Sequence, residues 1–163
     1  MGATVSNARA ATDHAAVEDE IRRALAQATD GRQAMQRAVE MLARVSDYTW
    51  VGIYQLFGNE LVLGPYAGKP SPHTHIPLGR GICGAAAAEK TTIIVDDVNA
   101  DPRYLACSID TKSEIVVPIM AGNEVLGEID IDSDRLAAFD ATDQKMLEAV
   151  AALLAERMSG GSR

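Results

Sequence analysis

The spacing of apolar residues changes period twice along this chain, and that change limits the folds open to it. Between Asp13 and Ala28 the apolar positions Val17, Ile21, Ala24, Leu25 and Ala28 recur at three-and-four intervals, which buries one face of a helix. Asp30-Gly31 stops the pattern, and a second helical stripe follows with Met35, Val39, Leu42 and Val45, ending near Asp47. The period then falls to two. TWVGIYQLF (49–57), the turn Gly58-Asn59 and ELVLGPYAG (60–68) read as a β-hairpin, because β-branched and aromatic residues suit a pleated surface and Gly-Asn reverses it. SEIVVPIM (113–120), the turn 121–123 and EVLGEIDID (124–132) read as a second hairpin, with TTIIVDD (91–97) as a further strand. Gly79, Gly81 and Gly84 introduce a short Ala-rich helix from Cys83 to Lys90, and 98–112 reads as a loop. The helical period returns after Asp140, with Met146, Leu147, Val150, Leu153 and Leu154 on one stripe. The predicted class is α+β: helices flanking a mainly antiparallel sheet.

The chain of 163 residues is the size of one domain. We place that domain at 13–158, between a flexible N-terminal segment (1–12) and a flexible tail (159–163), both small and polar without an apolar period. Fifteen Lys+Arg against twenty-three Asp+Glu give a net charge of −8. No basic cluster offsets it, which excludes a nucleic-acid partner. The apolar runs fall far short of the ~20 residues that span a bilayer, and no cationic leader with an apolar stretch opens the chain. The expectation is a cytoplasmic protein without a membrane partner.

Four features carry possible chemistry. Trp50, Gly52 and Tyr54 share one strand face, with Gly52 leaving a gap between two rings; either a small apolar group sits there or the rings pack closely in a core. In EIDID, Glu128, Asp130 and Asp132 share a face opposite Ile129 and Ile131. The row is either a solvated acidic face, or Asp130 and Asp132 join Glu114 of the neighbouring strand in a pocket for an ammonium group in which crowded carboxyls keep a proton. Cys83 and Cys107 lack the close pairing of a zinc ribbon. They are either two buried small hydrophobes or a redox pair, with Cys83 at a helix N-terminus where the macrodipole favours thiolate and Cys107 in a loop near Glu114. His73 and His75 lie on one face of an extended segment and could bind metal, although no third ligand lies nearby in sequence.

Taken in order, Tyr48-Thr-Trp50-Val-Gly52-Ile-Tyr54, Leu63-Gly64-Pro65-Tyr66, Gly68-Lys69, Ile76-Pro77-Leu78-Gly79-Arg80-Gly81-Ile82-Cys83-Gly84, Ala106-Cys107, Ser113-Glu114-Ile115-Val116-Val117-Pro118 and Asp130-Ile131-Asp132-Ser133 resemble the GAF-domain free methionine-(R)-sulfoxide reductases over about residues 35–157. The resemblance implies a GAF fold with a six-stranded antiparallel sheet, a homodimer, and a small closed pocket for free methionine-(R)-sulfoxide. By matching motif positions, it implies Cys107 as nucleophile and Cys83 as a resolving cysteine. Glu114, Asp130 and Asp132 become the carboxylates around the substrate, and Trp50 and Tyr54 the rings holding its S-methyl group. It implies no cofactor and no metal, with regeneration by a thioredoxin-type reductant.

The chain departs from the pattern at PSPHTH (70–75), where family members commonly carry a further cysteine. The regenerating disulfide is then Cys83 with Cys107, or an external thiol reduces Cys107 directly. The rival class is a non-catalytic GAF sensor of a small molecule, which has no need of two cysteines beside clustered carboxylates. A thiol peroxidase is disfavoured, because acidic neighbours raise the pKa of a thiol.

Overall fold

The longer elements of the fold follow from local signals, and a computed structural model describes residues 12–106 and 109–159. The proposed segments 1–12 and 159–163 therefore lie almost wholly outside the described residues. Helix α1 (His14–Ala26) begins where the Asp13 side chain accepts from the Ala16 amide at 3.0 Å. Helix α2 (Gly31–Leu42) begins in the same way, with Asp30 accepting from the Gln33 amide at 2.8 Å. Both helices end before the last residue of their apolar stripe. Ala28 and Val45 are buried all the same, on the turns that follow.

Strands β1 (Trp50–Phe57) and β2 (Glu60–Ala67) form the first hairpin, turning at Gly58 with φ +62°. Strand β3 (His75–Pro77), helix α3 (Gly81–Glu89), strand β4 (Ile93–Val95) and a single 3-10 turn (Val98–Ala100) follow. Strands β5 (Ser113–Ala121) and β6 (Glu124–Ser133) make the second hairpin, and helix α4 (Ala141–Ser159) closes the chain. Ser159, assigned above to the tail, is instead the last residue of α4, its hydroxyl donating to the Ala155 carbonyl at 2.6 Å.

The expected α+β class holds. One six-stranded sheet runs in the order β3-β2-β1-β6-β5-β4, with every neighbouring pair antiparallel. Pro118 fits inside β5 because β4 pairs only as far as Val116, so no ladder partner lies opposite the missing N–H. Sequence reading missed β3, whose three residues are too few to show an alternation and sit among prolines. None of the described helices is long and apolar enough to cross a membrane.

Register sets the two faces of the sheet. Val51, Ile53, Ile115, Val117, Ile119, Ile129 and Ile131 point to one side, where α1, α2 and α4 cover them in the main core. Trp50, Gly52 and Tyr54 point to the other side, together with Glu114, Val116, Glu128, Asp130 and Asp132. On that side α3 packs against β5 and β6 and forms the second core with Tyr54, Leu61, Ile76 and Val116.

Candidate active site

Antiparallel pairing brings the acids of two strands into one patch. Asp132 stands opposite both Trp50 and Glu114, Asp130 opposite Gly52 and Val116, and Glu128 opposite Tyr54. The solvated-face reading of EIDID fails here, because α3 and the loops covering the sheet bury the row. Glu114 is 4% exposed, Asp130 2%, Asp132 4% and Glu128 0%. Glu114 shares hydrogen bonds with both Asp130 and Asp132, which requires protons held between the carboxyls. Burial raises all four pKa values above the ordinary carboxylate range, and mutual repulsion adds to this for Glu114, Glu128 and Asp132. Both oxygens of Glu128, Oδ1 of Asp130 and Oδ1 of Asp132 have no hydrogen-bond partner. Buried acceptors of this kind are costly unless a positive or donating group meets them.

Cys83, in the first turn of α3, points into this patch and donates from Sγ to Asp130 Oδ2 at 3.3 Å. The helix N-terminus was expected to favour its thiolate, and the structure gives the opposite. Complete burial, followed by Asp130, Glu128 and Glu114, pushes the thiol well above its ordinary pKa. A macrodipole offers about half a charge, whereas three carboxyls surround this sulfur. Cys107 lies outside the described residues, together with Ser108. Residues close to them on either side, Ala106 and Asp110, make contacts above the patch, described next.

Segment 68–74 crosses the pocket as a cover. The Trp50 indole donates from Nε1 to the Lys69 carbonyl at 2.9 Å, and the Tyr54 hydroxyl donates to the His73 carbonyl at 2.7 Å. His73 donates from Nε2 to the Ala106 carbonyl at 3.1 Å, and Lys69 pairs with Asp110 at 3.3 Å. The two histidines considered for metal are directed elsewhere: His73 ties the cover to Ala106, and His75 Nδ1 meets the Thr74 hydroxyl at 3.1 Å. Neither joins a metal-ligating cluster among the described residues.

The gap expected at Gly52 is filled by Trp50 itself. A Cβ on Gly52 would lie 2.3 Å from Cη2 of the indole, which also stacks on Tyr66 with ring centroids 5.9 Å apart. Gly52 therefore lets the ring lie flat along the strand, where it walls a cavity of about 80 Å³ lined also by Lys69, Ser71, Asp110, Thr111 and Asp132. Asp132 joins this cavity to the buried acids. The volume holds a few waters and is less than an amino acid needs. Sequence reading left Tyr66, Lys69, Asp110 and Thr111 out of the site, and Glu128 as well. Glu128 was legible by alternation with Asp130, and Tyr66 comes in from β2, where it pairs with Gly52, whereas Lys69, Asp110 and Thr111 arrive through loop positions with no periodic signal.

A sheet of this order, backed by helices and covered on its other face by α3 and loops, defines a class. The chain belongs to the GAF domain family, whose model matches residues 30–158. Nearer likenesses narrow this. The chain is 45% identical over 112 residues to the free methionine-R-sulfoxide reductase of Saccharomyces cerevisiae, a match spanning 66% of this chain and 62% of the yeast protein. It is 38% identical over 111 residues to that of Escherichia coli, spanning 68% and 67% of the two chains. The X-ray structure of free methionine-R-sulfoxide reductase from Neisseria meningitidis in complex with its substrate superposes with a TM-score of 0.86. It is 38% identical in sequence, with 92% of this chain and 93% of that one covered. Within the GAF fold, the chain is a member of the free methionine-R-sulfoxide reductase family.

Proposed function

We propose that the protein reduces free methionine-(R)-sulfoxide to methionine, with Cys107 as nucleophile and Cys83 as the resolving thiol. One observation carries this reading: a buried set of carboxyls with unpaired oxygens surrounds a thiol, and one of the set, Asp132, reaches the small cavity walled by Trp50. The relatives' activity adds to it. The substrate's ammonium group meets the free acceptors of Asp130 and Asp132, and its methyl group lies along the Trp50 and Tyr54 rings. Because the cavity is smaller than the substrate, the cover at Lys69–Ser71 or the Asp110–Thr111 stretch opposite moves on entry.

A protonated carboxyl of the Glu114, Asp130 and Asp132 group donates to the sulfoxide oxygen as Cys107 thiolate attacks the sulfur. The S–O bond breaks, methionine leaves, and the oxygen remains on Cys107 as sulfenic acid; the sulfoxide sulfur is reduced by two electrons and the cysteine oxidised by two. Cys83 then attacks the sulfenic sulfur, its proton leaves with the hydroxyl as water, and a disulfide forms. A thioredoxin-type dithiol returns both thiols by exchange. No cofactor enters this sequence, and the active form is a homodimer in the cytoplasm.

Turnover with each epimer of free and peptide-bound methionine sulfoxide tests the reading. Reduction of the free R epimer alone is expected, since a buried ammonium site rejects a blocked amine. Equal turnover of bound and free sulfoxide would overturn the pocket. Tight binding of methionine sulfoxide without any methionine released would favour the sensor instead.

A further inference from the structure

We infer that Cys83, Glu114 and Asp130 form a site for a thiophilic divalent cation of the zinc type, one that competes with an organic ammonium group for the same pocket. The thiol sulfur and one carboxylate oxygen from each acid lie within 4.8 Å of one another, and all three residues are buried. Cys83 Sγ and Asp130 Oδ2 are 3.3 Å apart. A tetrahedral zinc with Zn–S near 2.3 Å and Zn–O near 2.0 Å holds those two atoms about 3.5 Å apart, so a cation fits with a shift of a few tenths of an ångström. One sulfur with two oxygens selects zinc-like ions over magnesium or calcium, which take oxygen alone.

A second observation points to a positive occupant independently of the three ligands. Glu128 is 0% exposed and faces the Cys83 thiol, which donates its close hydrogen bond to Asp130, so no donor stands within hydrogen-bond distance of either Glu128 oxygen. Asp130 Oδ1 and Asp132 Oδ1 are likewise buried and unpartnered. Glu128 and Asp130 thus present free acceptors beside a thiol that is already placed as a ligand, with Asp132 next in the row, and a dication meets that surplus more completely than a single ammonium. The cation site shares its walls with the proposed substrate pocket, but the test reads metal binding and not turnover, so either reading can fail alone.

The test uses the reduced, metal-free full chain, with Co²⁺ as the spectroscopic probe and Zn²⁺ as competitor. One Co²⁺ per chain is expected, with a near-ultraviolet thiolate-to-cobalt band that Zn²⁺ abolishes and that methionine sulfoxide displaces. Cys107→Ser keeps the band and Cys83→Ser loses it. Glu114→Gln, which leaves the thiol in place, retains the band but weakens Zn²⁺ by more than about tenfold, a loss that even outer partners of a metal cause. Absence of the band in the native chain, its survival in Cys83→Ser, its loss in Cys107→Ser, or unchanged Zn²⁺ affinity in Glu114→Gln would each overturn the inference.

Discussion

Cys83 donates a hydrogen bond to Asp130 while three carboxyls crowd its sulfur, so the resting thiol is a poor nucleophile, as suits the later, resolving step proposed for it. The two cysteines should therefore separate cleanly in single-turnover experiments. Cys107→Ser is expected to release no methionine, whereas Cys83→Ser releases one methionine per chain and then stalls with thioredoxin as the reductant. Methionine release by Cys107→Ser would remove the nucleophile assignment. At Gly52 the constraint is steric. A methyl group there would stand 2.3 Å from the Trp50 ring and displace it from its Lys69 and Tyr66 contacts. Gly52→Ala should cost about 1–3 kcal/mol in urea unfolding, the usual range for overpacking, and raise KM for the free sulfoxide. An unchanged KM would mean that the indole is not part of the binding wall.

Elements were read from the sequence more securely than the site, and the reason is range. Period alone located α1, α2, both hairpins and α4, since each carries its own stripe or alternation. It also put Glu128, Asp130 and Asp132 on one face. Whether that face met water or a pocket was not legible, because burial comes from α3, which ends 35 residues before β6 begins, and from loops without pattern. The filling of Gly52 by its neighbour two positions away was equally hidden, since it depends on the indole's rotamer. A further long-range tie binds the elements on the opposite face. Asp143 of α4 accepts from the Tyr48 hydroxyl at 2.6 Å through Oδ1, and the same oxygen meets His14 Nε2 of α1 at 2.9 Å. Tyr48→Phe leaves the ring against Phe139 and removes only the donor, so a loss of about 1–2 kcal/mol is expected in thermal or urea unfolding. No loss would show that His14 alone satisfies Oδ1 of Asp143, whose Oδ2 already accepts from the Asp140 amide at 2.9 Å.

On the scale of the whole molecule, the four sequestered carboxyls set how stability responds to pH. A carboxyl whose pKa is higher folded than unfolded binds more protons in the native state. Its contribution is whole below the ordinary carboxylate range and is lost as pH rises through the raised value. The unfolding free energy should accordingly fall in urea titrations as pH rises above the ordinary carboxylate range. Glu128→Gln, neutral at every pH, should flatten that fall, and a native chain that gains stability over this range would contradict the sign. The same pocket also governs what light can report. The chain has one tryptophan, and that residue is the cavity wall, stacked on Tyr66 and bonded to the cover. Its emission therefore carries no background from elsewhere in the protein, and every change in its colour or intensity is a signal from the pocket's own opening, filling and emptying.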